Sequence, residues 1–226
     1  MNYTSLCNAL IQKCGISGGS ISSVSGQVGE MGRVVAWINE AYEQVQLASQ
    51  TWDWMRDDVS FVTVDGQTKY TPVQAGVTDM AMWKPGSFRC YQTAGGVGGE
   101  NFLFDMDYDN FRDTYSFGTM RTATGMPTVI SFGPDDAIHL GIGPDSAGYT
   151  VVGEYYKTPQ ALALDADTPL MPTHFHNIIV YRAMILYGMY EAAQEVVMEG
   201  TNLYGSMLRR MIRSEIPGVT MGSALA

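Results

Sequence analysis

TWDWMRDDVSFVTVDGQTKYTP, residues 51–72, contains the change of period that decides the fold. Before it, apolar residues recur every three or four positions. Within it, Val59, Phe61 and Thr63 alternate with Ser60, Val62 and Val64, the pattern of a strand with one covered face. Asp65-Gly66 then supplies a turn dipeptide, and residues 69–71 resume as a return strand before Pro72, so the pattern predicts a hairpin. Trp52, Trp54 and Arg56 sit at the seam and are expected to form a structural joint, the two indoles by bulk. Arg56 is placed to pair with Asp53 or Asp57, or to sit at the negative end of the preceding helix.

Upstream, Met31, Val34, Ile38, Ala41, Val45, Ala48 and Trp52 keep a 3-4 spacing, which predicts one long helix ending at Trp52. Residues 3–14 predict a shorter helix, followed by a Gly- and Ser-rich loop over 15–26. Downstream, short strand-like pieces near 78–83, 87–92, 128–132, 137–142 and 149–157 are broken by Gly and Pro, as in a small antiparallel sandwich. A short helix near 105–116 interrupts them, with Tyr108, Phe111 and Tyr115 at helical spacing.

The C-terminal third predicts helices again, with Thr173 as an N-cap. One stripe holds Phe175, Ile179, Ala183, Leu186, Tyr190, Ala193 and Val197. Up to Tyr190 the other faces are apolar too. Such a helix is covered on more than one side, so Ile178, Tyr181, Met184, Ile185, Tyr187 and Met189 are expected to meet a neighbouring subunit. Gly200 is expected to loosen the chain before a last helix near 201–214. That helix carries Arg209, Arg210 and Arg213, three of only 13 basic residues. Residues 100–145 hold eight acids and two bases, so the chain has an acidic middle and a basic end. The three arginines, with Pro217, Val219 and Met221 in a terminal arm, are expected to contact a partner.

The expected fold class is therefore α+β: N- and C-terminal helices forming a bundle layer, with an inserted antiparallel sandwich-like layer. The boundaries are 1–58 for the first helices, 59–172 for the β-rich layer, 173–216 for the last helices and 217–226 for an extended arm.

Composition narrows the function. The net charge is −10 and 16% of residues are charged, fewer than usual. An acidic chain is poorly suited to gripping nucleic acid, which needs clustered Lys and Arg. Cys7, Cys14 and Cys90 form no C-x-x-C pair, so reduced thiols and an intracellular assembly site are expected. No basic-then-apolar leader opens the sequence, so no secretory signal is expected. The longest apolar run, 178–189, holds Arg182 and is too short to span a membrane.

Motifs for catalysis are weak. His174 and His176 form an H-x-H, with Asp165 and Asp167 upstream. On a helix, positions i and i+2 point apart, so polar residues of a first helical turn are the simpler reading. DADT, 165–168, lacks the central glycine and terminal glutamate of a calcium loop. Asp105, Asp107 and Asp109 suit the start of an exposed helix better than a carboxylate pair for glycoside hydrolysis. GGVGG, 95–99, is no phosphate loop, because no Lys-Ser/Thr follows it. No cofactor or metal is expected.

The combined pattern resembles the head-to-tail adaptor (connector) proteins of tailed bacteriophages. The stretches that carry it, in order, are VAWINEAYEQVQLASQTWDWMRDDVSFVTVDGQTKYTP (35–72), GMPTVISF (125–132), TVVGEYYKTPQALALDADTPLMPTHFHNIIVYRAMILYGMYEAA (150–193) and LYGSMLRRMIRSEIPGV (203–219). The resemblance implies a non-enzymatic structural protein of the virion neck, assembled in the host cytoplasm. It implies a homo-oligomeric ring, commonly of twelve copies, which docks below the portal protein and extends the DNA channel. DNA would pass without sequence-specific binding, and the ring would present a platform for the next neck or tail protein. The Gly-rich 95–99 and Gly/Ser-rich 15–26 loops depart from the family pattern. Two alternatives stay open: a β-sandwich module binding a ligand or carbohydrate, and a metal-dependent hydrolase using His174, His176, Asp165 and Asp167.

Overall fold

A computed structural model describes residues 1–215. The expected arm, with Pro217, Val219 and Met221, lies outside the described residues. In chain order the elements begin with helices α1 (Tyr3–Cys14) and α2 (Gly29–Leu47). Strands β1 (Arg56–Val62), β2 (Lys69–Tyr70), β3 (Met80–Trp83), β4 (Arg89–Gln92), β5 (Asn101–Phe102) and β6 (Phe104–Asp105) follow. Then come α3 (Tyr108–Tyr115), β7 (Val129–Phe132), β8 (Ile138–Leu140) and β9 (Tyr149–Lys157). Helices α4 (Asn177–Tyr190) and α5 (Gln194–Glu215) complete the described chain. The fold is α+β, as the sequence predicts. It divides into a helical unit, Met1–Met55 with the chain from Pro159 onward, and a β unit, Arg56–Thr158.

In the helical unit, α1 is capped at both ends. Asn2 Oδ1 accepts from Ser5 N, and Gly15, left-handed at φ 63, donates its N–H to Ile11 O. α2 buries Val34, Ile38, Ala41 and Val45 as predicted, but it stops at Leu47. Trp52 is therefore not on the helix. Its fully buried indole folds back, and Nε1 donates to Gln46 O at 3.0 Å. The last carbonyls of a helix have no partner within it, and here an indole supplies one. A row on α2 holds the 159–170 stretch. Asn39 Oδ1 accepts from Leu162 N, Tyr42 Oη from Leu170 N, and Gln46 Oε1 from Gln160 N at 2.8 Å. These bonds explain why 159–172, expected with the sheets, belongs with the helices.

α4 is the centre of the unit, and α1, α2 and α5 all pack on it. The chain turns at Glu191–Ala193, not at Gly200. Ala192 takes the left-handed conformation, and Ala193 N donates to Gly188 O at 2.8 Å. Gly200 lies inside α5. A Cβ there would stand 3.1 Å from Tyr181 O, and one at Gly188 would stand 2.8 Å from Val197 Cγ2. The two glycines let α4 and α5 run antiparallel in close contact, so Gly200 is a packing residue and not a breaker. Thr173 does not cap α4 either; residues 173–175 form a short 3-10 turn before it.

The β unit is two sheets sharing one core. One sheet has the order β1-β9-β4-β5 with β3 also on β9, and the other β2-β8-β7-β6. Val59, Phe61, Trp83, Cys90, Val151 and Tyr155 from the first share one core with Tyr70, Ile130, Ile138 and Leu140 from the second, and with Phe88 just before β4. The predicted 59–71 hairpin does not form. β1 pairs antiparallel with β9 from Arg56↔Tyr156 to Val62↔Thr150, while β2 pairs with β8. The Asp65-Gly66 turn exists, with Gln67 N donating to Val64 O, but it passes the chain from one sheet to the other. Alternation sets which side of a strand is covered, not which strand it joins. β9 offered β1 a seven-residue partner, which a local hairpin could not match. Gly153 of β9 makes room for the Phe88 ring, which a Cβ would meet at 2.5 Å. The short β6–β7 pair is parallel, a departure from an all-antiparallel layer.

Candidate assembly surface

The all-round apolar character of α4 is satisfied mostly within the chain. Ile178, Met184 and Ile185 are buried against the neighbouring helices, which corrects their expected role as partner contacts. Tyr181 and Tyr187 are half-buried. Only the C-terminal end of α4 projects, with Met189 64% and Tyr190 53% exposed.

That end is one of two unlike surfaces on the helical unit. Trp37 of α2 lies edge-on to Tyr187, ring centroids 5.8 Å apart, and 5.4 Å from Tyr190. The Arg33 guanidinium lies over Tyr190 at 4.6 Å. The α4–α5 turn brings Met198, 66% exposed, to the same end of the hairpin. Trp, Tyr, Arg and Met are the residue types enriched in protein interfaces. Acidic groups surround this aromatic end. Burial, then the negative charge of Glu191 and, further down, that of Glu30, raise the Tyr187 hydroxyl above its ordinary pKa. Burial, then Glu199, pushes the Cys14 thiol up to about 11. Of these residues the sequence reading named Tyr187 and Met189, and did not name Arg33, Trp37, Tyr190 or Met198 as partner contacts. Trp37 is one position off the buried stripe of α2, and that offset was the available signal.

The second surface is the C-terminal half of α5. Arg209, Arg210 and Arg213 are exposed, with Ile212 beside them. Among the described residues, none of the three forms an ion pair. Because α5 runs antiparallel to α4, this arginine end lies toward the start of α4, away from the aromatic end.

The other candidates have structural duties. His176, 2% exposed, donates through Nε2 to Met171 O and accepts from the Met1 amine at Nδ1, 2.7 Å away. His174 is exposed and lies against the Phe175 ring. Asp165 Oδ1 accepts from Val24 N and Asp167 Oδ2 from Ala163 N and Leu164 N, which holds both carboxyls below their ordinary pKa. Among the described residues, no group of three His, Cys, Asp or Glu side chains is arranged to hold a metal. Asp107 caps α3, and Asp105 accepts from Gly86 N. All three cysteines are free thiols. Burial pushes Cys7 up to about 12 and Cys90 to about 11, so both are uncharged near neutrality.

Trp52 and Trp54 stack at 6.0 Å at the end of the first helical segment, and the chain enters the β unit at Arg56. Arg56 donates to Glu154 at 2.6 Å, and Lys84 shares the same carboxylate. A groove of about 540 Å³ lies over this part of the first sheet. Its charges largely answer one another, Lys84 to Glu154 and Arg89 to Glu100, and the guanidinium of Arg89 covers the Phe102 ring. Among the described residues, no helix is long and apolar enough to cross a membrane.

No curated protein matches the chain. The sequence model of a family described as SU10 adaptor protein matches residues 1–222. With its helical unit, inserted sandwich and two projecting helical ends, the chain belongs to the SU10 adaptor protein family, a family of phage head-to-tail adaptors.

Proposed function

We propose that this structural virion protein forms a homo-oligomeric ring, of about twelve copies in the family pattern, in the neck of the particle. The ring docks below the portal protein, extends the DNA channel and offers a platform to the next neck or tail protein. Its work is binding and positioning, without catalysis and without a cofactor. The observation that carries this reading is the aromatic end, where Tyr190, Met189 and Met198 present interface-type side chains to solvent beside the half-buried Trp37 within a structural adaptor family. Obligate interfaces bury about 2,000 Å² or more, and this end with the arginine end of α5 supplies the nucleus of such contacts. The net charge of −10 supports passage of DNA without retention. Native mass measurement of necks isolated from particles, and of the purified protein with and without portal, tests the proposal. The expected result is a multiple-copy ring associated with portal. Necks without the protein, or a single copy per neck, would overturn it.

A further inference from the structure

We infer that copies of this chain join head to tail. The arginine end of α5 in one copy docks on the acidic aromatic end of the helical unit in the next. This rests on the adaptor reading above and names the partner of its two surfaces.

The charge pattern of α5 carries the inference. Glu195 and Glu199 are four residues apart and share a face, and so do Arg209 and Arg213. All four are exposed. The two pairs lie fourteen residues apart, nearly a whole number of turns, so both fall on about the same side of the helix. The nearest members, Glu199 and Arg209, are ten residues apart, about 15 Å along the helix and offset around it. That exceeds the joint reach of a glutamate and an arginine side chain, so these arginines cannot answer these glutamates within one chain. Among the described residues, neither set has an ion-pair partner. A second copy supplies the missing partner for each.

The receiving end is also built for guanidinium groups. Glu191 follows α4 at its negative C-terminus, Glu195 and Glu199 lie in the first turns of α5 after it, and the Trp37–Tyr190 ring pair involves this same end of α4. Tyr190 already carries one guanidinium, that of Arg33. The donor surface and the acceptor surface are different patches, so the contact is heterologous, and repetition gives a ring or an open chain. The portal protein is the competing occupant of the arginine end.

Sedimentation velocity of the purified full-length chain over a wide concentration range, at low and high salt, tests this with charge-swap variants. The wild-type chain should associate beyond a dimer at low salt and weaken as salt rises. Replacing Arg209, Arg210 and Arg213 by Glu should weaken association by roughly tenfold or more. Adding Glu191→Lys, Glu195→Lys and Glu199→Lys to that variant should restore it. Circular dichroism shows whether each variant is folded. Two single swaps, Arg213→Glu alone and with Glu195→Lys, repeat the test with less perturbation. Wild-type chain that stays monomeric at every concentration, association that stops at a two-fold dimer, or swaps without effect would each overturn the inference. Arginine variants that lose portal binding alone would assign that end to the portal. None of these outcomes touches the adaptor reading itself, which the neck measurement decides.

Discussion

The two ends of the helical unit differ in chemistry although the same helices build them. At the α4–α5 turn, Trp37, Tyr187 and Tyr190 cluster with Arg33. At the far end of α5, three arginines stand in solvent. The first surface offers apolar area beside exposed Glu191, Glu195 and Glu199, so only the apolar share of its binding is expected to be insensitive to salt. The second offers charge, and its contacts are expected to weaken with salt. Between them α4 is apolar on every face yet closed off by α1, α2 and α5. A helix apolar all round thus marks the centre of its own bundle. The candidate partner surfaces lie where the bundle ends.

Trp52→Ala is expected to have the largest effect. The indole is fully buried and holds Gln46 O, so its loss should cost about 3–5 kcal/mol. A chemical melt should show it, with both ends affected alike. An unchanged melt would place Trp52 outside the core. Next is Gly188→Val, which drives a side chain into Val197 and should cost about 1–3 kcal/mol by forcing α4 and α5 apart. If it folds with parental stability, the close approach of the two helices is wrong.

Trp37→Ala separates the ends. It should weaken assembly by about 2 kcal/mol and leave the salt dependence of what remains intact. Isothermal titration against portal, or sedimentation of the chain alone, distinguishes this from simple unfolding. Replacing Arg209, Arg210 and Arg213 by Gln should cost less, about 1 kcal/mol, because exposed charge pairs are weak. Its signature is a flatter salt dependence, and an unchanged slope would deny these arginines a charged partner.

The smallest effect concerns pH. Burial holds His176 in the helical unit and His139 in the β unit below the ordinary histidine pKa. The unfolded chain therefore binds more protons than the folded one as pH falls below about 6.5. Stability should be fully present above that pH and decline toward the folded pKa values. Denaturation midpoints at pH 7.5 and 5.5 check the sign, and a higher midpoint at 5.5 would reverse it.

The elements were legible where a pattern is local. The helix expected over 3–14 is α1, and the alternation of 59–63 gives the buried face of β1 correctly. Pairing was not legible. Asp65-Gly66 forms its turn, but β1 finds β9 some ninety residues later. The Trp52 spacing fits the α2 stripe, yet the chain leaves the helix at Leu47 and returns the ring from a loop. Gly200 looks like a breaker because sequence shows a missing side chain and not the helix pressed against it. Of the candidate surface, the arginine end was visible as a charge cluster. Of the aromatic end only Tyr187 and Met189 were named, because it joins residues of α2 and α4 that only the fold brings together.

Hydroxyl-radical footprinting read by mass spectrometry reports on the aromatic end itself, because Trp, Tyr and Met are among its most reactive side chains. Oxidation of Trp37, Tyr190, Met189 and Met198 would be compared between free protein and intact particle necks, with buried Trp52 and Met184 as internal references. Strong protection of the four in the neck, with no change at the references, is the expected result. Equal oxidation of all four in both states would show that the aromatic end is not an assembly surface.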